Sequence, residues 1–168
     1  MKFKEYEPIL GQNVFIAEGA KVIGRVNLGT DSSVFFNSVL RADINSIVIG
    51  RRTNVQDNCT FHVSDKFGVQ VGNDVTIGHN AILHACEVGD NVTIGMGAII
   101  MDGSKIGEDS IVAAGSIVPP GKTFNVGSLI MGSPARVIRI LTREEIEANR
   151  KMAAKYIRVK NQYLDQAS

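Results

Sequence analysis

Residues 88–118 read VGDNVTIGMGAIIMDGSKIGEDSIVAAGSIV, and the spacing of their aliphatic residues decides the fold. Val88, Ile94, Ile100, Ile106, Val112 and Val118 recur at a step of six. A helical face needs apolar residues three and four apart, so this period is not helical. It fits a short strand followed by a turn, with the aliphatic residue inward and its neighbour outward. The same step runs upstream through Leu10, Ile16, Val22, Leu28, Val34 and Leu40, then Ile49, Val55 and Phe61, then Val71, Ile77 and Leu83. Four residues after most of these stands a small or aliphatic residue, such as Ser38, Cys59, Ala81 or Ala98, predicted to pack inward near a corner. Gly often follows the aliphatic residue directly, as at Gly72, Gly89 and Gly95, and reads as a tight-turn residue. Three hexads close a triangular coil, and no hexad buries its face alone, so stacked coils must stabilise one another.

The frame breaks at three places. Three extra residues lie between Leu40 and Ile49, four between Phe61 and Val71, and one is missing between Leu83 and Val88. Insertions in such arrays are expected as loops on one face, often the binding face. Pro119-Pro120-Gly121 is a breaker cluster, and residues 132–136, Gly-Ser-Pro-Ala-Arg, read as a turn leading off the coil. Thr142-Arg143-Glu144-Glu145 is a capping box, and Ile146, Met152, Tyr156, Val159 and Tyr163 lie near one face of the helix it opens. The expected organisation is a β-helix over 1–140 and a C-terminal helix over 141–168 packing on it. The fold class is an all-β solenoid with one terminal α-helix.

Composition agrees with one domain: 168 residues, 44% of them hydrophobic. A net charge of +1 gives no field for nucleic acid or a membrane surface. No apolar run is long enough to span a bilayer. The two cysteines, Cys59 and Cys86, fall at inward slots, and no secretory segment precedes the repeats. Free core thiols and a reducing, cytoplasmic compartment are expected.

The three histidines are His62, His79 and His84. Leu40, Phe61, Leu83 and Ile100 each start the third side of successive coils, so the residues after them form one outward column: Arg41, His62, His84 and Met101. Adjacent rungs lie about 4.8 Å apart, close enough for two imidazoles to share one metal ion at metal–nitrogen distances of about 2.0–2.1 Å. His79 follows the second side and lies around a corner. A threefold-related neighbour is the natural source of a third imidazole, which makes a homotrimer part of the site. Three neutral nitrogens suit zinc and leave a position open for water; iron, cobalt or nickel also accept imidazole.

Two resemblances follow from these residues. The hexad pattern over about 10–135 is similar to the hexapeptide-repeat, left-handed parallel β-helix superfamily. Its hand comes from that resemblance, since general chirality favours the other. Arg41-Ala42-Asp43, Ile49-Gly50, Thr53-Asn54-Val55-Gln56-Asp57, His62, Gly78-His79 and Leu83-His84 together resemble the gamma-class carbonic anhydrase signature. That resemblance implies a lyase that reversibly hydrates carbon dioxide to bicarbonate by metal-bound hydroxide. His62 and His84 of one subunit and His79 of the next would hold zinc. Gln56 would orient hydroxide or bicarbonate, and Arg41, Asp43 and Asp57 would form an ionic cluster across the subunit interface. Tyr156 resembles a tyrosine near the site in shorter relatives. The best-known type also carries a glutamate after the aspartate and an acidic proton-shuttle loop; here Ile44-Asn45 follow Asp43, and the Ser64-Asp65-Lys66 insert holds one carboxylate.

Plainer readings stand beside these. Arg41, Asp43 and Asp57 suit a salt-bridge network with no chemical role, Tyr156 suits helix packing, and Asn54 suits a turn. Two rival functions remain: a hexapeptide-repeat acyltransferase using coenzyme A with one histidine as general base, and a non-catalytic metal-binding trimeric scaffold. A stacked histidine pair is not needed by the former.

Overall fold

The computed structural model describes residues 1–166; Ala167 and Ser168, at the end of the expected 141–168 unit, lie outside the described residues. The chain winds as a left-handed parallel β-helix of about seven turns and ends in one helix, α1 (Arg143–Gln166). Stacked short strands make three faces. The second face runs from Phe15–Ile16 through Ser33–Val34, Asn54–Val55, Thr76–Ile77, Thr93–Ile94 and Ile111–Val112 to Ser128–Gly132. The other two faces form one sheet, because Lys21–Leu28 and Val39–Ile49 each run round the corner from the third face to the first.

The hexad residues line the interior as the period requires. From Val22 to Val118 all of them are buried, as are Ser38, Cys59, Ala81, Ala98, Ser104, Ser110 and Ser116 at the corner slots. Leu10 and Ile16 differ, at 49% and 36% exposure, because the first coil has no coil beneath it. The third residue after most of the aliphatics makes the corner in the left-handed backbone region. Asn58, Asn80, Asn91 and Asp109 do this at φ between 54° and 60°, and Gly97, Gly103 and Gly115 at similar angles. Asn, Asp and Gly are the residues that tolerate this conformation.

The glycines directly after the aliphatic residues serve a different purpose from the turn role expected of them. Gly72 and Gly95 have no positive φ; a Cβ on Gly95 would lie 2.4 Å from the Ala114 amide nitrogen of the coil above. They are glycine because stacked backbones approach too closely there.

The first insert is not a loop. In Val39–Ile49 the register with Lys21–Leu28 shifts so that Gly24 faces Ala42 and Val26 faces Ile47, leaving 43–46 as a bulge on the corner. A bulge re-aims side chains without ending the strand, and here it puts Asp43 on the corner. The second insert is a short loop closed by Ser64 N–H donating to Phe67 O at 3.0 Å. Asn45 Nδ2 donates to Ser64 O at 3.2 Å and ties the two inserts together. Residues 132–136 do not lead off the coil: Ser128–Gly132 turns back into Ala135–Ile140 as an antiparallel hairpin.

The capping box of α1 is formed: Thr142 N–H donates to Glu145 Oε2 at 2.9 Å, and Glu145 N–H to Thr142 Oγ1 at 3.3 Å. Glu145 also pairs with Arg139, and hydrogen bonds from Arg139 and the Thr142 amide bring its carboxyl down to about 2. The helix lies on the second face. Tyr156 and Val159 of the expected apolar face pack on Phe15, Ala17 and Phe35, but the most buried residues are Asn149, Ala153 and Lys160, because the helix also docks on backbone carbonyls. Asn149 Nδ2 donates to Asn91 O and Ser110 O, and Thr93 Oγ1 donates to Asn149 Oδ1 at 2.8 Å. Lys160 is fully buried and pairs with Asp31 at 3.1 Å. Met152 stays exposed, while Tyr163 stacks on Phe15 at 5.3 Å between ring centroids. No helix among the described residues is long and apolar enough to cross a membrane.

Candidate metal centre

Strand register sets the site. Leu40, Phe61 and Leu83 stack inward, so Arg41, His62 and His84 stack outward at the end of the third face. The His62 and His84 rings lie 5.1 Å apart between centroids, with His62 Nδ1 3.0 Å from His84 Nε2. Their other nitrogens each meet a carboxylate: His62 Nε2 lies 3.1 Å from Asp43 Oδ1, and His84 Nδ1 lies 2.6 Å from Asp102 Oδ1. Arg41 Nη1 donates to the other oxygen of Asp43. Burial pushes the Asp43 carboxyl up, but hydrogen bonds from Arg41 and His62 outweigh it and hold the group below the usual range.

The protons on this chain of four groups can be counted. A carboxylate only accepts. In the neutral tautomers that satisfy both carboxylates, His62 carries its proton on Nε2, facing Asp43, and His84 carries its proton on Nδ1, facing Asp102. With both rings neutral, the two remaining lone pairs face each other across 3.0 Å. Two acceptors at that distance repel, and a cation within reach of both removes the conflict. The donor set thus fits a metal ion that accepts neutral imidazole.

The third histidine stands apart. His79 follows Thr76–Ile77 at the corner between the second and third faces, with Nδ1 2.7 Å from Asp57 Oδ2. Among the described residues no three His, Cys, Asp or Glu side chains of one chain come together as a metal group. Asp57 pairs with His79, not with Arg41 or Asp43, and its other oxygen accepts from Phe36 N–H at 3.2 Å.

Beside His79 a cleft of about 250 Å³ is lined by Gln56, Met96, Met152, Lys155 and Tyr156. Gln56 is buried, and its Nε2 donates to Asn54 Oδ1 at 3.3 Å. Asn54 is no turn residue: it lies in the strand Asn54–Val55, buried, with Nδ2 donating to Thr76 Oγ1 at 3.0 Å and to Val75 O. That fixes the Asn54 amide, which fixes the Gln56 amide and leaves Gln56 Oε1 as an acceptor. Tyr156 packs its ring edge-on against Phe35 and also lines the cleft; burial, then the Asp57 charge, push its hydroxyl up.

Comparison with known proteins places the chain. The family model for bacterial transferase hexapeptide (six repeats) matches residues 85–120. A probable carbonic anhydrase of Methanocaldococcus jannaschii is 42% identical over 151 residues, covering 90% of this chain and 95% of the relative. The chain belongs to the gamma-class carbonic anhydrase family. Gamma carbonic anhydrase 2, mitochondrial, of Arabidopsis thaliana is 37% identical over 94% of this chain, which spans 59% of the length of that relative. A solved hexapeptide transferase family protein from Anaplasma phagocytophilum superposes with a TM-score of 0.93 at 40% identity, over 96% of each chain. Gamma carbonic anhydrase relatives imply a metal cofactor in general, in keeping with the facing lone pairs.

Asp102 is not singled out by the sequence, and Asn54 stands there as a signature residue whose plainer reading is a turn; both have a usable signal. Every histidine has a carboxylate about one coil away, at separations of 19 residues for Asp43–His62, 22 for Asp57–His79 and 18 for His84–Asp102. Asn54 lies two residues before Gln56 on the same side of a strand.

Proposed function

We propose that the chain is a zinc-dependent carbonic anhydrase, interconverting carbon dioxide and water with bicarbonate and a proton, whose site forms between subunits of a homotrimer. The facing lone pairs of His62 and His84 carry this reading. His79 of the neighbouring subunit supplies the third nitrogen.

The three faces support the assembly. The second face is covered by α1. The first presents Gln70, Glu87, Lys105 and Thr123 in one column. The third presents Val39, Thr60, Ile82, Ile99 and Ile117, a column apolar but for Thr60 that runs beside the histidines, with Ile82 39% exposed. A second copy of the chain is the partner this face fits, since His79 stands on the opposite edge of that same face and threefold packing brings one edge against the other. The histidine pair is incomplete without it.

Zinc held there supplies a Lewis acid that brings the pKa of water to about 7, the value established for three-histidine zinc in carbonic anhydrase and carried over to this site. The chain does the rest. Asp43, Asp57 and Asp102 hold the three imidazoles. Gln56 Oε1, locked by Asn54, accepts a hydrogen bond from a proton-bearing oxygen of water or bicarbonate and orients it. Met96, Met152 and the Tyr156 ring give apolar carbon dioxide an apolar wall. Arg41 neutralises Asp43 and braces the edge of the interface.

Stopped-flow hydration of carbon dioxide, on protein of measured zinc content, tests the reading. Activity should rise with occupancy and vanish in His84→Ala. Full occupancy without activity would leave a structural metal and sink the enzyme; coenzyme A-dependent acyl transfer surviving in His84→Ala would favour the transferase.

A further inference from the structure

The three carboxylates on the histidines differ in what else they do. Asp43 also serves Arg41, and Asp57 also accepts from the Phe36 backbone. Among the described residues the Asp102 carboxylate has His84 as its one hydrogen-bond partner, and at 2.6 Å the contact equals or betters the other two. Asp102 is 43% exposed and lies in the corner one coil above His84, so it contributes no core packing. Left alone, a neutral imidazole divides its proton between two nitrogens, and only one tautomer of His84 turns its Nε2 lone pair toward His62. Had the proton been on Nε2, it would have satisfied His62 Nδ1 directly at 3.0 Å and closed the pair to a cation.

We propose that Asp102 is a positioning residue that holds His84 as its Nδ1-protonated tautomer and thereby keeps the His62–His84 pair open for metal. This rests on the reading of the pair as metal ligands. A carboxylate that accepts from the outer nitrogen of a ligating imidazole fixes ring orientation and raises its basicity, and loss of such a partner typically weakens metal affinity ten- to a hundredfold.

The test uses the full chain. Zinc affinity is measured by chelator competition for wild type, Asp102→Ala, Asp102→Asn and His84→Ala, and the His84 tautomer is read from nitrogen-15 shifts in the metal-free protein. Zinc binding should vanish in His84→Ala and fall roughly ten- to a hundredfold in Asp102→Ala, with the thermal midpoint kept. The wild-type His84 should show a protonated Nδ1, and both Asp102 variants a tautomer mixture. Loss of negative charge alone would weaken zinc without moving the tautomer, and that result overturns the proposal. Wild-type affinity in both Asp102 variants overturns it too. Zinc retained in His84→Ala contradicts the ligand reading itself, and Asp102's role falls with it. Should Asp102→Ala fail to fold, Asp102→Asn carries the same readings.

Discussion

Asn54 and Gln56 show how a strand writes chemistry in steps of two. Both side chains leave the second face on the same side, and the Asn54 amide decides which end of the Gln56 amide is offered to the cleft. Gln56→Ala should lower hydration roughly ten- to a hundredfold while zinc content stays unchanged, because one oriented hydrogen bond is lost and no ligand is touched. Equal turnover at equal occupancy would remove its assigned role. The thiols make a second case. Burial pushes Cys59 up to about 11 and Cys86 higher still, so neither holds appreciable thiolate at neutral pH. Native protein should resist a thiol reagent at pH 8 and react only on unfolding; rapid labelling would contradict their burial. At this scale the sequence was legible where the period acts, as in the His62–His84 column, and also at the inward cysteines. It was opaque where a partner is reached through a corner. Asp102 and Asp43 meet their histidines only because a bulge and a coil step place them there, and neither leaves a hydrophobic signature.

The C-terminal helix was legible at its start and in part along its docking face, where Tyr156, Val159 and Tyr163 pack on Phe15, Phe35 and Phe36 as expected. Thr142 and Glu145 spell the cap, and the structure forms it. The folded carboxyl of Glu145 lies at about 2, below its ordinary 4.5. Its contribution is therefore complete above about pH 5 and fades as pH falls through 4.5 toward 2. Helix stability should decline across that window in wild type and less so in Glu145→Gln, followed by circular dichroism; identical profiles would contradict the pairing with Arg139. The polar anchors of that face went unread because their burial follows hydrogen bonding. Lys160 is wholly buried on Asp31, and Asn149 caps carbonyls of the coil. No apolar periodicity flags such residues. Removing one partner of a buried pair costs about 3–5 kcal/mol, and the partial exposure of Asp31 reduces this to about 2–3 kcal/mol for Lys160→Ala. Urea unfolding should show that loss, and an unchanged midpoint would contradict the structural role of the pair.

The whole molecule is a stack of coils, and a six-residue step predicts that stack because every rung repeats the same burial. What the period does not predict is where it is interrupted or where it stops. The expected loop between Leu40 and Ile49 is a bulge within one strand, and the expected exit at 132–136 is a hairpin that adds an antiparallel edge strand to the second face. Leu10 and Ile16 obey the period yet stay exposed, since a terminal rung has one neighbour instead of two. Assembly belongs to this scale as well. Ile82 stands in the apolar column of the third face and contributes no core packing, so Ile82→Asp should give a folded monomer by mass measurement with its β-sheet spectrum kept. A persistent trimer would move the interface off that face.

The shared site is the central claim, and mixing two defective chains tests it most directly. His79→Ala keeps the His62–His84 pair and lacks the third donor, while His84→Ala keeps His79 and breaks the pair. Each homotrimer alone should fail to bind zinc. Co-refolded, the two chains should recover zinc binding, because at one interface of every mixed trimer an intact pair meets an intact His79. Failure of mixed trimers to regain zinc, or full binding by His79→Ala alone, would contradict a metal centre built between subunits.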